Sequence, residues 1–139
     1  MPLNLEKQIW RDKAKGEVNP LAFSELAQKL AHHISEEGGG PRGRKNKSTQ
    51  LRKYYDVIFN LNQRAKSQLD EAKWNVILAQ LHKQLALVHY SKGRDLITDS
   101  FVSMMDELIK AVNNQKDLQV ITDFLEAFMA YYKECRPRN

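Results

Sequence analysis

Apolar residues recur along most of this chain with the spacing of an amphipathic α-helix. One apolar stripe covers residues 23–34, and the Asn-Pro pair at 19–20 before it is typical of a helix start. A second stripe covers residues 51–65. The two stripes predict two helices, and the glycine-rich residues 38–47 between them predict a loop.

The C-terminal half begins with another helical stripe, over residues 74–88. Ser67 and Asp70 have the spacing of a capping box, so a helix start is predicted near them. Gly93 follows the stripe and predicts the end of this helix.

Two more stripes follow, over residues 101–112 and 118–132. The Asn-Asn pair at 113–114 separates them, and Asp117 is a candidate cap for the last helix. Each stripe therefore predicts a helix with one buried face.

A short helix around Leu5, Ile9 and Trp10 is also predicted. No segment has sustained period-2 alternation with β-branched residues, so no β-sheet is predicted. The chain is predicted to be all-α, a single domain over residues 1–139. It is a bundle of five or six helices, with a flexible basic loop, residues 38–47, between the second and third of them.

Composition narrows the class of protein. The chain has 139 residues, 42% of them apolar, as in soluble globular domains. Its start lacks the apolar run of a signal peptide, and no apolar stretch approaches the roughly 20 residues that span a bilayer. We therefore expect a cytoplasmic protein without a membrane partner. Cys135 is the only cysteine, which excludes an internal disulfide and two-cysteine metal sites.

Positive charge is concentrated in one short segment. The whole chain has 22 basic and 17 acidic residues, a net charge of +5. Six cations without an interleaved acid account for the excess, since the remaining 16 basic and 17 acidic residues give −1. A concentrated positive field attracts a polyanion. We call these six residues the basic seam: Arg42, Arg44, Lys45, Lys47, Arg52 and Lys53.

The seam coincides with a predicted helix start at Ser48 or Thr49. Cations in the first turn of a helix oppose the helix dipole, at a cost of roughly 0.3–1 kcal/mol per charge. A bound phosphate would reverse that sign, because unpaired N–H groups and a positive helix end attract anions. The two hydroxyls and Gln50 could add hydrogen bonds, and the loop glycines allow a close approach of the backbone.

The seam suits contacts with phosphates rather than with bases. It has no aromatic residue before Tyr54 on which a base could stack. Six cations limit the log–log salt slope of binding to single strands to roughly −4. The alternatives are an ordinary solvated surface and a docking surface for an acidic protein. Membrane binding is less favoured, because no apolar face is left over beside the charges.

Signals of catalysis are absent from the sequence. We find no Ser/His/Asp grouping, nucleotide-binding motif or pair of carboxylates suited to acid–base chemistry. His82 and His89 are two helical turns apart, with no acid to complete a metal site. We therefore expect no catalytic residues, no metal and no cofactor.

Three stretches together resemble the small subunit of type III-A CRISPR effector complexes. They are STQLRKYY at residues 48–55, LALVHYSKGR at 85–94 and FLEAFMAYYK at 124–133. The resemblance covers residues 44–133, and the first forty residues match less closely. It implies a small, all-helical, non-catalytic protein. Such a protein holds target RNA alongside the guide RNA, packs against backbone and large subunits, and stacks with copies of itself.

The resemblance also implies which residues contact RNA. RNA binding is carried onto Lys45, Lys47, Arg52 and Lys53, with Ser48, Thr49 and Gln50 as helpers. Arg42 and Arg44 join them as members of the seam. Lys92 and Arg94 are second-rank candidates, since cations after a helix end are also favourable as caps.

Two other functions remain open from the sequence. One is a helical protein-interaction scaffold without nucleic-acid binding, in which the basic loop docks an acidic partner. The other is a DNA-binding regulator with a helix-turn-helix. The apolar stripe of residues 51–65, directly after the basic loop, makes the second less favoured.

Overall fold

The computed structural model describes residues 2–67 and 69–138, so residues 1, 68 and 139 of the predicted domain lie outside it. Six helices make up most of the described chain, and the all-α prediction is confirmed. In chain order the elements are α1 (Leu5–Ile9), β1 (Trp10–Asp12), β2 (Glu17–Val18), a 3-10 turn (Pro20–Phe23), α2 (Glu25–Glu37), α3 (Ser48–Ala65), α4 (Glu71–Gly93), α5 (Asp99–Lys110) and α6 (Gln115–Cys135).

A small β-ribbon near the N-terminus contradicts the prediction of no sheet. α1 ends at Ile9, and Trp10 belongs to β1 rather than to the helix. β1 pairs antiparallel with β2, with Trp10 opposite Val18. Gly16, with φ +70°, supplies the left-handed conformation in the connecting turn. Strands of three and two residues are too short for period-2 alternation to reveal them.

The Asn-Pro pair begins a different element from the one predicted. Asn19 Oδ1 accepts a hydrogen bond from Leu21 N at 3.2 Å, and Pro20 is the first residue of the 3-10 turn. α2 itself starts only at Glu25. The local signal for a helical start was therefore correct, but the α-helix begins one turn later.

α4 begins where it was predicted, next to Asp70, whereas α6 is capped three residues before the predicted Asp117. Asp70 is the cap of α4, because its Oδ1 accepts from Lys73 N at 2.8 Å, and Ser67 lies outside the helix. Asn114 is the cap of α6, and its Oδ1 accepts from Asp117 N at 2.9 Å. A side-chain oxygen three residues before an N–H is the geometry that closes a helix N-terminus.

The core lies around α6, which packs against α2 on one side and α3 on the other, while α4 packs mainly against α3 and α5. The predicted apolar stripes supply most of this core. Burial of these side chains supplies the main driving force for the fold. Fully enclosed examples are Ile34, Ile58, Leu81, Ile109, Ile121, Phe124 and Phe128.

No helix in the described ranges is both long and apolar enough to span a membrane. Within the same ranges, no three His, Cys, Asp or Glu residues are grouped so as to hold a metal ion.

Candidate nucleic-acid interface

Asn46 fixes the C-terminal end of the basic loop to the helical body. Its side chain is completely buried, and its backbone is left-handed, with φ +59°. Nδ2 donates to Ile34 O at 2.9 Å and to Thr98 Oγ1 at 2.8 Å, while Oδ1 accepts from Thr98 N at 3.0 Å. Its own N–H donates to Leu96 O at 3.0 Å. The residue thus joins α2 to the segment before α5, directly ahead of α3.

Arg136 fixes the same loop from the opposite side. Its side chain is completely buried. Nε donates to Ser35 Oγ, and Nη2 donates to Ser35 O and Lys45 O, all at 3.0 Å. Nη1 donates to Gly43 O at 3.4 Å and to Asn46 O at 3.2 Å. A single guanidinium therefore contacts three backbone carbonyls of the loop.

The positive charge of Arg136 is compensated without a carboxylate. No acid in the described part of the chain lies within ion-pair distance of it. Instead, two helices end at this point, α2 at Glu37 and α6 at Cys135. The C-terminal end of a helix carries partial negative charge on its last carbonyls, so two such ends stabilise a buried cation.

These contacts bear on the predicted flexibility of residues 38–47. The carbonyls of Gly43, Lys45 and Asn46 are bound to a buried side chain, which favours one fixed path for this half of the loop. The mobility of the loop in solution stays a prediction.

Two loop glycines are explained by the packing of the loop on itself. A Cβ on Gly43 would lie 2.2 Å from Gly38 O, and one on Gly38 would lie 2.5 Å from Lys45 O. From the sequence, we expected these glycines to let the backbone approach a phosphate closely. In the structure, the groups that approach them closely belong to the loop and to Arg136.

Replacing Gly43 by alanine is expected to lower the free energy of unfolding by about 1–3 kcal/mol, the usual cost of overpacking. Gly93→Ala is the matched control, because nothing lies within 4 Å of its Cβ position. Alanine in the last turn of α4 should be neutral or stabilise by up to about 1 kcal/mol. Urea denaturation followed by circular dichroism measures both. Equal midpoints for the two variants would contradict the crowding at Gly43.

Most of the basic seam is exposed and lacks an acidic partner. Among the described residues, only Lys45 of the seam forms an ion pair, at 3.5 Å from Asp95 Oδ1. Both side chains are largely exposed, and such pairs contribute little. Lys53 Nζ lies 5.1 Å from the centroid of the Tyr54 ring, a contact that leaves its charge available. For five seam cations the described ranges contain no carboxylate within ion-pair distance: Arg42, Arg44, Lys47, Arg52 and Lys53.

The N-terminus of α3 begins at Ser48 and has no side-chain cap, and its first turn has no acid. Within the described residues, Ser48 Oγ and Gln50 Oε1 are buried without a hydrogen-bond partner. Thr49 is exposed beside them. A helix end that lacks its own cap attracts an anion, and contact of these three helper residues with RNA stays a prediction.

A cleft of about 330 Å³ opens between the start of α3 and the end of α6. Ser48, Thr49 and Arg52 line one wall, while Lys133 and Arg138 belong to the other. Nothing in the local sequence singles out these two cations, because basic residues in the last turn of a helix or just after it are common there. Only the antiparallel packing of α3 and α6 brings them to the seam.

The second-rank candidates lie at the end of α4. Lys92 Nζ is 3.0 Å from Asp99 Oδ1, so its charge is partly compensated. The Arg94 guanidinium lies 5.8 Å from the centroid of the Tyr90 ring. Their segment adjoins the seam, since Asp95 pairs with Lys45.

Fold and site together define the class, a small all-α protein whose positive charge is gathered at one uncapped helix end. The family described as Csm2 Type III-A matches residues 22–138, and the chain belongs to this family. It is accordingly a small subunit of a type III-A CRISPR complex, and it assembles with other subunits of that complex. The match confirms the resemblance seen in three stretches and extends it into α2 and to Arg138. Comparison with curated proteins and with solved structures gives no match.

Proposed function

We propose that this subunit holds target RNA, alongside the guide RNA, by contacts with phosphates that do not depend on base sequence. One observation carries the proposal: within the described residues, five of the six seam cations have no carboxylate partner, and all six belong to the loop before α3 or to its first two turns. A cationic surface of this kind binds the RNA backbone through charge-assisted hydrogen bonds. The residues proposed to contact RNA are Arg42, Arg44, Lys45, Lys47, Ser48, Thr49, Gln50, Arg52 and Lys53, with Lys92 and Arg94 beside them.

Phosphate contact is favoured over base reading by the surroundings of Tyr54. Its ring is only 2% exposed, and its hydroxyl donates to Leu87 O at 3.0 Å. The seam therefore offers cations and helix N–H groups but no exposed ring of its own. Contacts with phosphates position a strand without reading it, which suits a subunit that must serve every guide.

Lys133 and Arg138 enlarge the proposed site beyond the seam. With these two cations the limit on the salt slope rises in magnitude from roughly −4 to roughly −6, at about 0.7 per phosphate. Copies of the subunit side by side on one RNA would also gain affinity through effective concentration. We further propose that the subunit packs against backbone and large subunits and against copies of itself, in the cytoplasm.

A non-catalytic role is supported by a serine–histidine pair that the described part of the fold brings together. His33 Nε2 lies 3.0 Å from Ser100 Oγ, and Glu37 accepts from both Ser100 N and Ser100 Oγ. Glu37 Oε2 also lies 3.7 Å from the same His33 Nε2. In a catalytic triad the carboxylate instead binds the second ring nitrogen of the histidine, the one that does not face the serine. Burial alone would raise the pKa of Glu37, but hydrogen bonds from Thr98 and Ser100 and the nearby His33 outweigh burial, so the pKa is lowered. This carboxylate acts as a cap for α5 and not as part of a nucleophile.

Charge reversal tests the proposal directly. The double variant Arg52→Glu with Lys53→Glu is expected to weaken binding to single-stranded RNA by the same factor for unrelated sequences. The magnitude of the salt slope should fall by about 1.4, for two phosphate contacts. Fluorescence anisotropy with two labelled RNAs at several salt concentrations measures both quantities.

The control is Arg64→Glu with Lys66→Glu, which makes the same charge change at the opposite end of α3. This variant should keep the wild-type slope. If the loss of RNA affinity differs strongly between the two RNA sequences, contact with phosphates alone is contradicted. Absence of RNA binding at low salt and high protein concentration would favour the protein-interaction scaffold, and tight site-selective binding to duplex DNA would favour the regulator.

A further inference from the structure

Two aromatic rings lie on the outer surface of α3, one turn beyond the seam. Tyr55 and Phe59 are four residues apart, and their ring centroids are 6.1 Å apart at an angle of 45°. Phe59 is 39% exposed, and Tyr55 is half-buried. A partly exposed aromatic pair leaves apolar surface in water, and such surface commonly marks an interaction site.

Carboxylates surround this pair from both helices. Asp56 is exposed on α3, and Asp123 and Glu126 are exposed on α6. The two helices are joined at the far end of the patch, where Asn62 Nδ2 donates to Gln119 Oε1 at 3.0 Å. We call Tyr55, Asp56, Phe59, Asp123 and Glu126 the acidic–aromatic patch.

The electrostatic surroundings of Tyr55 agree with this geometry. Its pKa is raised, first by burial and then by the negative charge of Glu126, with smaller contributions of the same sign from Asp56 and Asp123. Among the described residues, Arg52 is the cation that acts on Tyr55, and it acts in the opposite direction. Three exposed carboxylates against one cation give these surroundings a net negative charge, whereas the adjacent seam is positive.

This negative field decides what the rings can bind. Stacking of a base on an aromatic ring is worth about 1–3 kcal/mol, but the phosphates of that strand would face three carboxylates. A cationic side chain is attracted both by the carboxylates and by the faces of the aromatic rings. The patch therefore repels the ligand that the seam attracts, although the two surfaces meet at Arg52.

We propose that the acidic–aromatic patch is a docking surface for an arginine- or lysine-rich segment of another protein subunit of the effector complex. The proposal rests on membership of the complex and does not depend on RNA binding by the seam. Charge complementarity identifies the partner, because an exposed apolar pair ringed by acids matches an apolar stem with a cationic head.

Recovery of the complex tests this surface. The tagged full-length chain is co-expressed with the other subunits, treated with nuclease and purified, and the amount of other subunits per tagged chain is measured. Glu126→Lys is expected to reduce that amount by about tenfold or more, as for a charge at the centre of an interface. Glu17→Lys makes the same charge change on the distant, exposed residue of β2 and should leave recovery unchanged.

The aromatic contribution has its own matched pair. Phe59→Ala is expected to reduce recovery by about fivefold or more, whereas Val76→Ala, at an exposed apolar position on α4, should not. Both patch variants should bind single-stranded RNA as the wild type does, while Arg52→Glu with Lys53→Glu separately tests the seam. Circular dichroism confirms that each variant is folded.

Three results would overturn the proposal. Recovery equal to that of the controls would show that the patch is not an interface. Reduced RNA affinity with unchanged recovery would assign the rings to the nucleic acid. Loss of self-association in sedimentation velocity, with recovery of the other subunits unchanged, would make a second copy of this chain the occupant.

Discussion

Replacement of Arg136 by methionine is expected to lower the free energy of unfolding by about 3–5 kcal/mol, because a buried hydrogen-bond network loses its central donor. The guanidinium makes five hydrogen bonds, and four of them go to backbone carbonyls. Methionine fills much of the same volume but donates no hydrogen bond. Each buried carbonyl left without a donor costs up to about 3 kcal/mol. Urea denaturation measures the change.

Arg138→Met is the matched control, because Arg138 lies two residues further on and is exposed. Its effect on stability should stay within about 0.5 kcal/mol. Arg136→Lys should fall between the two, since an ammonium keeps the charge but lacks the planar fork that reaches several carbonyls at once. A midpoint for Arg136→Met that matches the control would show that the hydrogen bonds to the loop do not stabilise the fold.

The same two variants distinguish two requirements for RNA binding. One is the correct position of the loop that carries the seam, and the other is the number of exposed cations. Arg136 is buried, so its removal changes the exposed charge little, while Arg138 lines the cleft beside Arg52. If Arg136 holds the loop in position, Arg136→Met weakens RNA binding although the number of exposed cations is unchanged. The Arg138 variant instead lowers the salt slope by about 0.7.

The local sequence was sufficient to predict which segments form helices. It was insufficient to predict which residues those helices bring into contact. The predicted core stripe of α3 is correct at five of its six positions, which are buried, and wrong at Tyr55, which is only half-buried. The five buried residues are Leu51, Tyr54, Ile58, Leu61 and Ala65. Periodicity reports burial because one face of a helix must meet the core. The exact first residue of a helix did not follow from the local sequence, because several possible capping residues occur close together. Which of them caps the helix depends on the turn that precedes it.

The seam was predictable because charge accumulates along the chain, but the residues that hold it were not. Arg136 and Asn46 have polar, loop-like neighbours, so the local sequence gives no reason to bury them. Their partners are distant in sequence: Arg136 bonds to Ser35, and Asn46 bonds to Thr98. Lys133 and Arg138 were missed for the same reason, since only tertiary packing brings them beside Arg52.

The second large effect is expected at Asn46. Asn46→Ala should lower the free energy of unfolding by about 3 kcal/mol, from two sources. One is the loss of three side-chain hydrogen bonds to Ile34 and Thr98, which leaves buried groups unpaired. The other is the left-handed backbone, which costs alanine about 1–2 kcal/mol more than glycine.

Asn46→Gly separates these two sources, because glycine accepts φ +59° without strain but forms none of the side-chain hydrogen bonds. It should be more stable than Asn46→Ala by about 1 kcal/mol and less stable than the wild type by about 2 kcal/mol. Asn75→Ala, at an exposed position on α4, is the control and should not destabilise. If Asn46→Gly unfolds at the wild-type urea concentration, the hydrogen bonds contribute nothing and only the backbone conformation matters. If it unfolds earlier, as expected, the uncapped start of α3 depends on a side chain that joins α2 to the start of α5.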